Sequence, residues 1–289
     1  MQRSPLTEIH VPTQQPPPFL TAASFQTDKH PWLAHGFFGR KGGVSTGIFD
    51  SLNVSFAERG DQPDCIAQNR LRVATALNME HTPVIFAYQR HTTTALIVDK
   101  PFEGERPIAD ALVTNTPGLL IGVQTADCVP VLLIDETTRV IAAAHAGWKG
   151  LADGILQNTL ITMESLGADR THIIAAIGPC IHANSYEVGD DVRKAYPQFP
   201  DLFTPWTNKT IGTIIDKTTT HKETFTFDMP MAAYLTLKQA GIHNISPSPI
   251  NTYTNPTDYF SYRRSTHQGD STFGNQASVI GIYPSQISK

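Results

Sequence analysis

The stretch Thr125-Ala126-Asp127-Cys128-Val129-Pro130-Val131-Leu132-Leu133-Ile134 and its continuation Val140-Ile141-Ala142-Ala143-Ala144-His145-Ala146-Gly147-Trp148-Lys149-Gly150 carry two apolar runs, each bounded by a polar motif. Runs 129–134 and 140–144 predict strands covered on both faces, because a half-solvated strand would alternate apolar and polar residues. Layered α/β sheets place ligand sites at the mouths of such strands. Cys128 and His145 stand at those mouths. His91, in Tyr88-Gln89-Arg90-His91, follows a third apolar run at 84–87. Two imidazoles and one thiolate are the ligand types zinc takes when one coordination position stays open. The residues alone leave the plainer reading open. A Cys in an apolar run is commonly a small buried hydrophobe, and separations of 37 and 17 residues match no local finger pattern.

Working outward, the pattern predicts strands at 51–54, 84–87, 95–98, 111–114, 119–123, 173–177 and 278–283. It predicts helices at 63–78, after Trp148 (Ile155, Leu156, Leu160 and Met163 in one stripe) and at 229–240. Pro63 suits a first helical turn, Asp228 an N-cap, and Gly167 and Gly241 the ends of helices. Residues 198–224 are polar and Thr-rich and read as loop, and residues 1–20 read as a flexible Pro-rich leader. With no repeat, no composition break and nothing to mark a boundary, residues 21–289 are expected to form one layered domain, α+β or α/β, rather than two.

The chain has 289 residues, 40% hydrophobic and 17% charged, with net charge −4 and three cysteines. Such a balance argues against nucleic acid as a partner. Sparse, odd-numbered cysteines argue against a disulfide framework. No apolar run approaches the roughly 18 residues of a membrane helix, and the first twenty residues lack the apolar core of a secretory signal. A cytoplasmic protein is the expectation. Several motifs are excluded outright. Gly39-Arg40-Lys41-Gly42-Gly43 lacks the lysine spacing of a P-loop. There is no Gly-x-Ser-x-Gly elbow and no His-x-Glu with Pro-Cys-x-x-Cys of the nucleobase deaminases. Arg40, Lys149 and the Arg263-Arg264 pair, each near glycine or aromatic residues, are candidate anion contacts or solvated surface charges.

The segments HGFFGRKGGVSTGIFDSLN (35–53), GD…NR (60–70), DALVT (110–114), TADCVPVLL (125–133), HAGWKGLADGIL (145–156), IGPCI…YEVG (177–189) and FSYRR (260–264) resemble the laccase-domain family. Its members are described as multicopper polyphenol oxidase-like proteins, purine nucleoside phosphorylases and peptidoglycan editing factors. The segments occur in the family's order and span nearly everything from residue 35 onward. The resemblance implies a single-domain α+β fold, a layered sandwich of mixed sheets flanked by helices, shared distantly with a toxin deamidase domain. It also implies a zinc site, with copper as a possible occupant, on His91, Cys128 and His145, which double as catalytic residues. Arg40, Gln89, Asp127, Lys149 and Arg263 become substrate-binding candidates. Departures from the pattern are Arg90 and Thr92 for the Val and Gly of Gln-Val-His-Gly, and Lys149 for Arg in the HAGW motif. Ser185 stands for a second Cys, and Asn275 for the Arg of a late Thr-Gly-Arg.

The activity so implied is zinc-dependent phosphorolysis of purine nucleosides, with adenosine deamination as a companion. An open-position zinc can hold phosphate or ribose oxygens, or lower the pKa of a water. Purine nucleoside and phosphate are then the partners. Copper-dependent phenol oxidation is the alternative from another class. It fits poorly, because multicopper chemistry needs paired His-x-His motifs and this chain has 11 His and none. A cell-wall editing hydrolase, with Cys128 as a nucleophile activated by His145, is the third reading.

Overall fold

The computed structural model describes residues 15–26, 28–206 and 223–284. Its strands, in chain order, are β1 (Phe19–Leu20), β2 (Leu33–Phe38), β3 (Val84–Ile85), β4 (Ala95–Ile97), β5 (Ala111–Thr114), β6 (Leu120–Thr125) and β7 (Val129–Asp135). They continue as β8 (Ile141–Ala146), β9 (Ile173–Ile177), β10 (Glu187–Gly189), β11 (Phe203–Pro205), β12 (Thr224–Phe227), β13 (Asn244–Pro247) and β14 (Gln276–Ile282). The helices are α1 (Pro63–Ala76), α2 (Trp148–Asp153), α3 (Ile155–Ser165), α4 (Asp190–Lys194), α5 (Met229–Gln239) and α6 (Tyr262–Gln268).

Three sheets result, with orders β1-β2-β14-β6-β3, β13-β9-β7-β8-β5-β4 and β10-β12-β11. The two large sheets are mixed and pack face to face. On β7, Leu132 and Ile134 join the core against Phe37, Ile121 and Ile280 of the other sheet. Val131 and Leu133 point the opposite way, into a core with Ile155 and Leu160 of α3 and Leu237 of α5. Helix α1 covers the outer face of the β1-β2-β14-β6-β3 sheet through Val73 and Ala74, against Phe38 and Val279. The layers therefore run helix, sheet, sheet, helix. Covering on both faces explains the unbroken apolar runs of β7 and β8, since neither face meets water.

The expected strands at 111–114 and 173–177 match β5 and β9 residue for residue, and most others shift by one or two residues. The expected strand at 51–54 is a turn. Its backbone N–H groups go to Arg40 O (from Ser51 and Leu52) and to Asn275 O (from Val54), so no ladder forms, and Leu52 and Val54 are core plugs. The helix after Trp148 breaks in two at Gly154, whose φ of 104° favours glycine. Residues 1–14 of the expected leader lie outside the described residues. The rest is tied down: Phe19 and Leu20 pair with Phe38 and Phe37, and Arg72 donates to Gln15 O. Most of the expected loop at 198–224 is also outside the described residues, but its ends form β11 and β12.

Candidate metal centre and cavity

Strands β7 and β8 pair antiparallel, with Val129 opposite Ala146 and Pro130 opposite His145. That register puts the residue before β7, Cys128, beside the end of β8, so thiol and imidazole meet at one end of a hairpin. The site therefore does not lie at the carboxyl ends of parallel strands. His91 arrives from the connection between β3, in one large sheet, and β4, in the other. One ligand atom from each of His91, Cys128 and His145 lies within 4.8 Å of the others, the sole such group of three found among the described residues. Cys128 Sγ is 3.7 Å from His91 Nε2. Gly147 makes the convergence possible: a Cβ there would lie 2.2 Å from His91 Cδ2 and 3.2 Å from Cys128 Sγ.

Asp110, a residue the sequence reading passed over, holds the His145 imidazole and the backbone of the loop that carries His91. Its carboxylate accepts from His145 Nδ1 at 2.7 Å, from the backbone N–H groups of Arg90, His91 and Thr92 at 3.2, 3.1 and 2.7 Å, and from the Thr92 hydroxyl at 2.8 Å. Thr92, one of the family departures, thus supplies two of the five donors. The carboxylate fixes His145 with Nε2 as the free nitrogen and clamps the loop that carries His91, which stands at φ 57°. Burial works against the Asp110 charge, but the His145 and Thr92 contacts outweigh it and hold the carboxyl at about 2. For Cys128, burial is outweighed by the charge and hydrogen bonds of His145 and His91, which bring the thiol below its ordinary value. Burial also opposes the His145 charge, and Cys128 and Asp110 overcome it, raising that imidazole. A thiolate between two imidazoles, with one imidazole anchored through its far nitrogen, is a donor set that fits a zinc-type metal with an open position.

A cavity of about 560 Å³ opens over the three residues. Aromatic walls come from Phe56, Tyr88, Trp148, Tyr186, Tyr262 and Phe273, and guanidinium groups from Arg59, Arg90 and Arg263. Of the expected substrate contacts, Gln89, Asp127 and Arg263 line it, and Arg40 and Lys149 do not. Gln89 is engaged with Gln124, donating to its O and accepting from its N, both at 2.8 Å. The Asp127 carboxylate accepts from Thr252 (2.6 Å), Ser261 (2.9 Å) and the Arg263 N–H (2.7 Å). It is thus a loop anchor, and with φ at 89° it sets the chain direction into Cys128. Arg263 donates to Glu187 O at 3.0 Å and to the Glu187 carboxylate. Arg40 donates to Asp50 O at 2.7 Å and Pro256 O at 3.1 Å and stacks on Phe260. Lys149 pairs with Asp153 on its own helix. Asp110 carried a readable signal, a carboxylate at the mouth of an apolar strand. Arg59 had none in its local sequence.

The family model described as multi-copper polyphenol oxidoreductase laccase matches residues 34–283. A purine nucleoside phosphorylase of Escherichia coli is 36% identical over 244 residues, covering 84% of this chain and 91% of that protein. One of Streptomyces coelicolor is 34% identical over 252 residues, covering 86% and 94%. Among solved structures, a hypothetical protein of Bacillus licheniformis superposes with a TM-score of 0.75 at 27% identity, covering 93% of this chain and 97% of that one.

Proposed function

The chain belongs to the multi-copper polyphenol oxidoreductase laccase family, and from that premise we propose that it is a zinc-dependent purine nucleoside phosphorylase. One observation carries the reading: His91, Cys128 and His145 converge under a cavity walled by aromatic rings and guanidinium groups. That combination suits a flat purine, a ribose and an anion together. Relatives similar over most of the chain are named purine nucleoside phosphorylases, which supports it.

In the reaction a phosphate oxygen bonds to ribose C1′ while the bond from C1′ to the purine nitrogen breaks. The purine leaves with the electron pair and takes a proton. Zinc on the three donors would supply positive charge and an open position for a substrate oxygen. The chain's own residues do the rest. The rings of Tyr88, Phe273 and Tyr262 offer faces for the base. Thr125 Oγ1 and Asn275 Oδ1, at the cavity wall, have no partner within the described structure, and the nucleoside's polar edge would complete them. Asp110 holds His145 in one orientation, and Asp127 holds the chain at Cys128. Deamination of adenosine belongs to the same reading: water adds at the purine carbon that bears the amino group, and that group leaves as ammonia.

The zinc-loaded protein is expected to release free base from adenosine or inosine in a phosphate-dependent manner. Cys128→Ala should lose both the metal and the activity. Phenol oxidation that depends on copper, without phosphate-dependent base release above the Cys128→Ala blank, would overturn the reading. The geometry also favours one second reading. Cys128, His145 and Asp110 line up as nucleophile, base and orienting carboxylate of a thiol hydrolase. Alkylation separates the two: zinc should protect Cys128 from iodoacetamide, whereas a free nucleophile labels fast at any zinc level.

A further inference from the structure

Three arginines line the cavity, and two of them have no acceptor among the described residues. Arg263 is committed to Glu187. Arg59 and Arg90 make no side-chain hydrogen bond and no ion pair within 4 Å among the described residues. Each lies over an aromatic ring that also lines the cavity: Arg59 Cζ is 4.3 Å from the Phe273 centroid, and Arg90 Cζ 4.8 Å from that of Tyr88. A ring contacts the face of a guanidinium and leaves its five in-plane N–H donors unused. Such a stack holds the fork in place without neutralising it.

Tyr88 gathers the group. Its ring also carries Arg106, whose Cζ lies 5.4 Å from it and 3.0 Å from the Phe56 centroid. Its hydroxyl lies within electrostatic reach of Arg59. Arg106 has one guanidinium nitrogen buried without an acceptor, and the carboxylate beside it is Glu58, 3.5 Å away. Three cations against one carboxylate thus stand on this wall, in a chain whose net charge is −4. An acidic protein that concentrates positive charge around a concave, aromatic-lined site draws anions to that site. The place is also right for chemistry. Arg90 directly precedes His91, and the backbone N–H groups of both are held by Asp110, so an anion on Arg90 lies next to the His–Cys–His group.

We propose that Arg59 and Arg90 form the clamp for the inorganic phosphate co-substrate, presented by Phe273 and Tyr88. The inference rests on the phosphorylase reading and assigns the anion to residues other than Arg40 and Lys149. Two forks offer phosphate paired, planar donors, which a lysine does not. Arg106, behind Tyr88, strengthens the field without touching the anion.

The test measures inorganic phosphate binding to the zinc-loaded protein by phosphorus NMR without nucleoside, alongside steady-state kinetics with each substrate varied. Arg59→Gln and Arg90→Gln should each weaken phosphate binding and raise the phosphate KM roughly tenfold or more, the scale of a lost charge-assisted contact. The nucleoside KM should move by no more than about twofold, with zinc content unchanged. Arg90→Lys should recover part of the loss. Unchanged phosphate binding in the double variant overturns the clamp, whatever the activity. If the protein binds phosphate through these arginines yet cleaves no nucleoside, the clamp stands and the phosphorylase reading falls. If phosphorolysis proceeds with an unaltered phosphate KM in the double variant, the reverse holds.

Discussion

Two glycine-bearing turns, at Gly43 and at Gly147, have opposite uses. At Gly147 an added Cβ would strike side-chain atoms, His91 Cδ2 at 2.2 Å and Cys128 Sγ at 3.2 Å. At Gly43 it would strike backbone, Ser51 O at 2.1 Å and Leu52 Cα at 2.4 Å. One glycine makes room for the side chains of the His–Cys–His group, the other for the chain itself. The polar neighbours follow suit. Around Gly43 they bond one another: Asn69 donates to Ser45, Ser51 O and Asn53 O and accepts from Val44 N, Asp61 accepts from Ser45 and Asn53, and Arg40 serves two carbonyls. Around Gly147 donors and acceptors remain over. A glycine-rich polar loop is a ligand site only when its hydrogen-bonding groups exceed what the fold consumes.

The largest contrast comes from alanine at the two glycines. Gly147→Ala should strip most of the zinc, as measured by elemental analysis, and leave the fold intact, because His91 is exposed and can swing away. Gly43→Ala should cost roughly 3 kcal/mol or more through overpacking, seen as a Tm lower by several degrees, with zinc still bound by whatever protein folds. Equal metal loss in both variants would erase the distinction drawn here.

Asp110→Asn comes next. Its carboxylate orients the His145 imidazole and clamps the loop that carries His91, and outer-shell changes of that kind lower metal affinity about 10–100-fold. Zinc titration against a competing chelator reads this directly, and an affinity within twofold of the parent would make Asp110 a stability residue only.

A third test contrasts two histidines. His35, on β2 just ahead of the Gly43 turn, is buried, accepts from Ala22 N at Nε2, and has its Nδ1 without a partner. Burial lowers its pKa from 6.5 to about 4. The unfolded chain takes up the proton near 6.5 while the folded protein resists it until about 4. Stability is therefore full above 6.5 and falls by about 3 kcal/mol as pH drops through that window. Protonation would also put a hydrogen where Ala22 N–H already points. The His35→Gln variant should show a flatter stability profile between pH 6.5 and 4, and parallel profiles would refute the assignment. His145, raised by its neighbours, contributes nothing of that sign.

The smallest effect is expected at Arg40. Arg40→Ala removes two charge-assisted bonds to carbonyls and should cost about 2 kcal/mol of stability, with kcat/KM for nucleoside and phosphate unchanged within twofold. A tenfold kinetic loss at constant stability would return Arg40 to the substrate.

How far the local sequence could be read tracks how local the determining physics is. The runs at β5, β7, β8 and β9 are buried on both faces, so their apolar continuity marks them without knowledge of their partners. Strand β2 (Leu33–Phe38) escaped because His35 and Gly36 interrupt its pattern, and its burial depends on β1 and β14, which are distant in sequence. Turn 51–54 looked like a strand because apolar Leu52 and Val54 alternate with polar Ser51 and Asn53, and a side-chain pattern does not say where the backbone donors go. Among site residues, His91, Cys128 and His145 were legible from their chemistry at the ends of apolar runs. Arg40 and Lys149 were not distinguishable from Arg59 and Arg90, since an arginine's partners lie elsewhere in the chain.

The sequence by itself determined a layered fold of helices and two-faced strands and made one thiol and two imidazoles the candidate ligands, because burial and ligand chemistry are properties of residue types. Only the tertiary structure decided that the three converge within 4.8 Å, that Asp110 holds the His145 imidazole and the His91 loop, and which cations face the cavity. Those facts depend on the β7–β8 register and on contacts between segments far apart along the chain, which no local pattern encodes.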